Sequence, residues 1–322
     1  MGKNTVAVIV TFNRLDALKV TLDNTLKQAF YKVVIVNNCS TDGTGDWLDG
    51  LDENRLIITH CKENQGSAGG FRWGFVYAAE KLQDANWLVC FDDDAYPEKG
   101  MLEAFQAIDI AEDVGGVAAA VYLPSGQISE MNRPSLNPFW HVRTLFSTIV
   151  QGRQGFHIDD AAYVSKLPRE VDASSFVGFF VRLSLIRERQ INLPRAELFI
   201  YADDVIFALE MRKAGFKHLF VPTLKFRHDC QTLIEHRDVY YPLWRVYYTF
   251  RNRLEMYRVT AGIFFPAVLL VKIPEWLFNV RYYKANERPQ FLKIATKAIW
   301  DGLRRNYSLK HEQVAALGNP PG

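Results

Sequence analysis

From residue 5 onward the chain alternates short apolar runs with longer stretches of helical period. Residues 5–11 (TVAVIVT), 32–38 (KVVIVNN), 55–60 (RLIITH), 86–94 (NWLVCFDDD) and 114–122 (VGGVAAAVY) are rich in β-branched and apolar side chains and read as strands. Residues 16–30, 70–82 and 97–108 lie between them and carry the helical pattern. Such alternation predicts an α/β fold: a mostly parallel sheet with helices on both faces, in which ligands bind at the carboxyl ends of the strands. Polar clusters stand at those ends: Thr11-Phe12-Asn13-Arg14 after the first strand, 37–44 (NNCSTDGT) after the second, 63–66 (ENQG) after the third, and Asp92-Asp93-Asp94 after the fourth.

Beyond residue 122 the pattern is less regular. Residues 123–170 mix Pro, Gly, Ser and polar side chains and read as loop and short helix near the strand ends. Residues 171–182 (VDASSFVGFFVR) resemble a strand entered through a loop, and 199–216 (FIYADDVIFALEMRKAGF) a helix with an acidic start and Gly215 as its stop. Residues 218–229 are expected to be extended, 240–307 helical, and the terminal 316–322 (ALGNPPG) frayed. These shifts predict an α/β ligand-binding body over 1–232 and a C-terminal helical region over 233–322.

With 322 residues, 48% hydrophobic and 23% charged, the chain is long enough for one large domain or two smaller ones, and nothing in it suggests disorder. The formal net charge of +2 hides an asymmetry: 24 Lys+Arg against 29 Asp+Glu through Gln231, and 14 against 7 after it. Cys39, Cys61, Cys90 and Cys230 have no Cys-x-x-Cys spacing, which argues against a disulfide framework or a zinc knuckle. A strand beginning at residue 5 leaves no room for a cleaved targeting peptide, so a cytoplasmic location is expected. The longest apolar run, residues 261–271, contains Pro266 and is flanked by Arg258 and Lys272. It falls short of the roughly 20 residues of a spanning helix and is expected to lie on a membrane rather than cross it. Residues 240–258 (YYPLWRVYYTFRNRLEMYR) interleave aromatics with Arg245, Arg251, Arg253 and Arg258, a pattern suited to an anionic lipid surface; packing against the α/β body is the alternative. No nucleic-acid reading motif accompanies it.

Three adjacent carboxylates beside a buried strand resist joint ionisation unless a positive charge compensates them. An acid-rich turn or helix start is the plain explanation, but a strand-end Asp-x-Asp, with Asp92 and Asp94 on one face and Asp93 turned elsewhere, suits a hard divalent cation shared with substrate phosphates. Residues 64–74 (NQGSAGGFRWG) set three glycines and Arg72 at a helix start, where backbone can approach a phosphate; a simple capping turn fits the same residues. The 37–44 loop has an equally plain account as a Ser/Asp cap.

In order along the chain, VAVIVTFNR, VVIVNNCSTDGT, ENQGSAGGFRWG, WLVCFDDDAYPE, VDASSFVGFFVR and FIYADDVIFALEMRKAG resemble the motifs of inverting glycosyltransferases of family 2, which have the GT-A fold. The resemblance covers about residues 5–232. Within that family the triple Asp and GSAGGF look most like bacterial galactofuranosyltransferases. The resemblance implies a UDP-sugar donor at the strand ends, with the uridine near Thr11, Phe12, Asn13, Arg14, Asn37, Asn38 and Asp42. Asn64, Gly69, Gly70, Phe71, Arg72 and Asp93 complete the implied donor site. Asn37 departs from the pattern, since an acidic residue usually stands there.

Asp92 and Asp94 match the metal-binding positions for Mn2+ or Mg2+, and His228 matches a histidine that can complete the metal shell. The general base aligns best with Asp204 and next best with Asp203. The implied reaction transfers galactofuranose to a hydroxyl of a bacterial surface glycan, lipid-linked and made at the inner face of the plasma membrane. A dTDP-rhamnose-dependent transferase shares most of these motifs. A carbohydrate- or lipid-binding protein that kept the fold and lost the reaction is the rival from another class.

Overall fold

The computed structural model describes residues 3–229 and 239–318. The expected division at 232/233, Cys230 and the terminal 319–322 lie outside the described residues. The N-terminal half runs β1 (Thr5–Thr11), α1 (Leu15–Leu26), β2 (Lys32–Asn37), α2 (Thr44–Asp49), β3 (Leu56–His60), α3 (Gly66–Lys81), β4 (Trp87–Asp92), β5 (Ala95–Pro97), α4 (Met101–Ala107) and β6 (Val114–Tyr122). Then follow α5 (Val142–Gln151), α6 (Asp160–Val164), β7 (Arg169–Val171), β8 (Phe179–Arg182), α7 (Leu183–Arg187), α8 (Asp203–Lys213) and β9 (Lys217–His228). Four helices close the chain: α9 (Trp244–Ala261), α10 (Phe265–Phe278), α11 (Arg288–Arg304) and α12 (His311–Leu317).

The strands form one nine-stranded sheet in the order β3-β2-β1-β4-β8-β6-β9-β5, with β7 paired to β9. β1 to β4 are mutually parallel. β8 lies antiparallel between β4 and β6. Residues 171–182 hold the expected strand entered through a loop, and the strand occupies their last four residues; its sense, opposed to that of its neighbours, is not legible in the sequence. Both faces of the central strands are covered, as their unbroken apolar sequences require. Val8 and Val10 meet α3 and α8 residues on one face, while Ala7 and Ile9 meet α1 and α4 residues on the other.

Two boundaries differ from the sequence reading and both matter for the site. α3 starts at Gly66, four residues before the expected position, because its glycines lie inside the helix. α8 starts at Asp203, not at residue 199, because Phe199, Tyr201 and Ala202 have positive φ and cannot belong to a right-handed helix.

The C-terminal helices form a third apolar cluster of their own, built on Tyr247, Tyr248, Phe250, Leu254, Trp276, Phe291 and Ile294. α9 is its spine, packed against α11 and α8, so most of its aromatic residues are core and Arg251 and Arg258 are internal partners. Arg251 is 1% exposed and donates to the Glu197 and Leu198 carbonyls. The expectation that this helix lies on a lipid surface is corrected accordingly: an aromatic and basic helix serves equally well between two protein layers when carbonyls and carboxylates meet its cations.

The 39 residues Trp244–Tyr282 are helical, long and apolar enough in composition to cross a membrane. They do not form one rod. Gly262 takes φ 53°, and the rings of Phe250 and Trp276 stack at 5.0 Å, whereas on a straight helix 26 positions would separate them by about 39 Å. α10 runs back along α9.

The buried Glu255 of α9 joins the layers, accepting from Arg195 at 2.7 Å, Arg305 at 2.5 Å and Arg258 at 3.1 Å. Burial pushes its carboxyl up, but the hydrogen bonds and charges of Arg305 and Arg195 prevail and hold it down at about 2. Removing one partner of a buried ionic group strands the others, so Glu255→Ala is expected to destabilise by about 3–5 kcal/mol in denaturant unfolding at neutral pH. The folded-state value lies below that of an unfolded Glu. The wild-type advantage over Glu255→Ala is therefore complete above roughly pH 4–5 and lost as pH falls through about 2.

Candidate active site

The register of the sheet gathers the polar strand ends. Val10 of β1 lies opposite Asp92 of β4, Thr11 opposite Asn37 of β2, and Ala95 of β5 opposite His228 of β9. One ligand atom each from Asp92, Asp94 and His228 can be chosen so that all lie within 4.8 Å of one another. His228 Nε2 is 3.1 Å from Asp94 Oδ1, and its Nδ1 is 2.8 Å from Asn132 Oδ1. An Nδ1–H donated to that amide oxygen leaves Nε2 as the ligating nitrogen. Asn132 is itself fixed, accepting from Ser129 Oγ at 2.6 Å and donating to Ser175 Oγ at 2.8 Å. Asp93 turns away from this group; it accepts from the Phe12 N–H at 3.2 Å, and Arg14 Nη1 lies 3.8 Å from its Oδ1.

Arg14 pairs with Asp94, so Arg14 and His228 are the cations that lie among these acids. Burial tends to raise the Asp94 carboxyl, but the hydrogen bond and charge of His228 and the charge of Arg14 hold it below the usual range. The His228 imidazole, which burial alone would lower, is raised by Asp94. His228 also lowers Asp92, and Arg14 lowers Asp93, but neither prevails. Burial and the neighbouring Asp94 raise Asp92 to about 7, and burial raises Asp93 to about 6. Two carboxylates and an imidazole, close together and short of positive charge, fit a divalent cation such as Mn2+ or Mg2+.

The first two loops form the side of the site beyond β1 and β2. Asn37 accepts from the Ser40 N–H at 3.0 Å, and its Nδ2 meets His60 Nδ1 at 3.0 Å. Asn13 accepts from the Thr41 N–H at 2.7 Å, and Asp42 from the Leu15 N–H at 3.1 Å. These bonds lock the two loops together and leave Phe12 exposed at their edge. Asn38 is buried and committed to structure: its amide group binds Asn64 Oδ1, the Gly66 carbonyl and the Gln65 N–H.

The glycine-rich segment behaves differently from the phosphate-loop expectation. Gly69, Gly70 and Phe71 are buried in the first turns of α3. A Cβ on Gly70 would run into Val10, so the glycine allows α3 to lie close on β1. Phe71 packs edge-on against Phe176 at 5.0 Å. Arg72 leaves the strand ends altogether: it donates to the Pro194 carbonyl at 3.3 Å and lines a cleft with Arg187, Arg195 and Glu210. Gly69, Gly70 and Phe71 are thus placed in packing, and Arg72 on another surface.

Asp203 and Asp204 open α8, where the helix N-terminus favours negative charge. Asp203 is buried, and burial, the adjacent Asp204 and Asp92 together push its carboxyl well up. Asp204 is partly exposed and is raised by burial to about 6, while its Oδ1 accepts the Val205 N–H at 2.7 Å. The loop that delivers this pair is held from outside. Asn252 of α9, fully buried, donates to the carbonyls of Leu198 at 2.9 Å, Ile200 at 2.7 Å and Tyr201 at 3.1 Å. Arg251 adds its bonds to Glu197 and Leu198. From below, the Ala68 N–H donates to the Phe199 carbonyl at 3.1 Å, and a side chain on Gly66 would overlap that carbonyl. Left-handed φ at Phe199, Tyr201 and Ala202 is costly and persists only because these contacts over-determine it.

Sequence reading missed Asn132, His60, Arg251 and Asn252. Asn132 sits in the least patterned stretch and gives no signal. An Arg-Asn pair inside an aromatic helix was the available hint for the other side of the site.

A mixed α/β sheet with its acids at the strand ends and a helical C-terminal region defines the GT-A class of fold. The chain belongs to glycosyl transferase family 2, whose model matches residues 6–167, half of its length. It is 29% identical over 109 residues to the undecaprenyl-phosphate mannosyltransferase of Micrococcus luteus, an alignment covering 32% of this chain and 44% of that relative. The match thus spans less than half of the relative's length. Among solved structures it resembles GalNAc-T7 with UDP, GalNAc and Mn2+ (TM-score 0.59, 12% identity, 94% of this chain and 56% of that one). It also resembles the mannosyltransferase PcManGT from Pyrobaculum calidifontis with GDP-Man and Mn2+ (TM-score 0.51, 15% identity, 98% and 79%). Residues 1–349 of S. aureus TarS are similar to the same degree (TM-score 0.51, 14% identity, 96% and 76%).

If Asn252 positions the acidic pair, Asn252→Ala should lower kcat roughly ten- to a hundredfold while the donor KM stays within about twofold. A parallel loss of donor affinity, measured by calorimetry with UDP, would point instead to general collapse of the site.

Proposed function

We infer that this glycosyltransferase is metal-dependent and inverting, and that it passes a sugar from a UDP donor, preferably galactofuranose, to a hydroxyl of a bacterial surface glycan. The acceptor is lipid-linked, and the enzyme works at the inner face of the plasma membrane. The observation that carries this reading is the Asp92, Asp94 and His228 group, short of positive charge, with the Asp203-Asp204 pair facing it electrostatically. The galactofuranose preference rests on the sequence resemblance. Mannosyltransferases among the similar proteins keep GDP-mannose among the donors to be tested.

Asp92, Asp94 and His228 would hold the cation. When bound, it supplies charge stabilisation to the leaving diphosphate. The remaining chemistry belongs to the chain. The acceptor hydroxyl is a poor nucleophile, so the carboxylate of Asp204, the more exposed of the pair, takes its proton as the oxygen bonds to the anomeric carbon. The bond from that carbon to the diphosphate oxygen breaks in the same displacement, which inverts the centre. The loops around Asn13, Asn37 and Asp42 hold the nucleoside end.

Asp94→Ala should abolish turnover together with metal-dependent UDP binding, whereas Asp204→Asn should abolish turnover and leave UDP binding intact. Turnover with a panel of UDP-galactofuranose, dTDP-rhamnose and GDP-mannose in the presence of Mn2+ identifies the donor. Undiminished turnover in both variants would reject the mechanism and favour a binding protein on this fold.

The base must be deprotonated to act, and burial places Asp204 at about 6. The rate at saturating donor should therefore be level above neutrality and fall about tenfold for each unit that pH drops below about 6. In Asp204→Glu any residual activity should retain an acidic limb at a shifted midpoint.

A further inference from the structure

α5 is an amphipathic helix turned inside out. It buries Thr144 and half-buries Ser147 and Thr148, while Val142, Phe146, Ile149 and Val150 stand 65–82% exposed on one face. α10 and the turn before it do the same. Ile263, Leu270, Val271 and Phe278 recur at helical spacing and are 60–88% exposed, while Trp276 holds the opposite face in the core. The segments that lead into the two helices touch, where Phe139 before α5 stacks on Phe264 before α10 at 6.4 Å and Asn137 donates to the Thr260 carbonyl of α9 at 3.1 Å. Exposed apolar rows on two helices that start from adjoining segments are far more than the scattered apolar residues of an ordinary surface.

The charges around these rows have one dominant sign. Residues 139–158 contain Arg143 and Arg153 and no acid. Residues 256–286 contain Arg258, Lys272, Arg281 and Lys284 against Glu275 alone. Arg258 faces inward to Glu255, whereas Arg143, Arg281 and Lys284 are exposed beside the apolar rows. α10 has 14 residues, about 21 Å of helix, short of the roughly 30 Å of a bilayer core, and it is anchored to α9 through Trp276.

We propose that the outward faces of α5 and α10 form one docking surface for an anionic lipid bilayer, on which the protein lies without crossing it. The apolar rows enter the acyl boundary, and Arg143, Arg281 and Lys284 meet anionic headgroups. The surface keeps the apolar run 261–271, which sequence reading places on a membrane, and sets α5 beside it in place of α9, most of which is buried. It deepens the proposed function, and rests on it, only in naming what the lipid does there: the bilayer presents the lipid-linked acceptor to the enzyme.

Flotation of the full chain with vesicles of phosphatidylcholine alone, or of equal parts phosphatidylcholine and phosphatidylglycerol, tests this without donor or acceptor. Wild type should float with the phosphatidylglycerol vesicles. Ile149→Glu combined with Leu270→Glu should weaken that binding at least roughly tenfold, with melting temperature and Mn2+-dependent UDP binding unchanged. Arg143→Glu combined with Lys284→Glu should weaken binding to the anionic vesicles only, and this pair decides the question if the first fails to fold. Wild type that stays unbound, or variants that float as wild type does, would overturn the proposal. So would sedimentation velocity showing a wild-type dimer that the apolar variant dissolves, because the face would then cover a second copy. UDP binding is measured separately, so failure of the glycosyltransferase reading shows there and not in the flotation.

Discussion

Negative charge crowded at the ends of buried strands is the constraint around which this molecule is arranged. Asp92, Asp93 and Asp94 follow β4, and Asp203 and Asp204 open α8 close enough to be felt electrostatically. Water cannot solvate all five, and Arg14 and His228 neutralise only part of the charge, chiefly at Asp94. The unmet remainder, seen in the raised Asp92 and Asp93, makes the site receptive to a doubly charged ion and to the phosphates such an ion brings. Asp204 is raised as well, but by burial at the start of α8 rather than by these charges.

The C-terminal helices hold this arrangement in place. Three residues with left-handed backbone would not keep their conformation unaided, and α9 supplies a continuous set of donors to the carbonyls of that loop. Polar side chains inside an otherwise aromatic helix therefore have a structural purpose: each satisfies a carbonyl that no strand or helix partner reaches. The basic composition after Gln231, which suggested an external partner, is spent partly on Glu255 and on these carbonyls.

Much of the sheet was legible because its central strands are buried on both faces and read as unbroken apolar runs; β1, β2, β4 and β6 match their expected spans within two residues at either end. The triple aspartate could be read because a costly residue pattern at a strand end demands an explanation. Sense and side were not legible. Nothing local tells that β8 runs against its neighbours, since an antiparallel strand buried on both faces has the same composition as a parallel one. The glycines of 66–74 illustrate a second limit: close helix packing and close phosphate approach both require a missing Cβ, and only Val10 beneath Gly70 distinguishes them. Aromatic and basic residues on α9 likewise suit a lipid surface or a protein interior, and tertiary contacts alone decided between them.

The Glu255 junction has a consequence for dissecting the molecule. Its partners come from the strand body at Arg195, from α9 itself at Arg258 and from the end of α11 at Arg305. Composition suggests a seam near residue 232, yet a fragment cut there would keep Asp92 and Asp94 while losing the α9 donors that hold the loop before Asp203 and Asp204. The two parts are therefore separable along the chain but not as independently packed pieces, and the smallest unit that keeps this junction extends to Arg305.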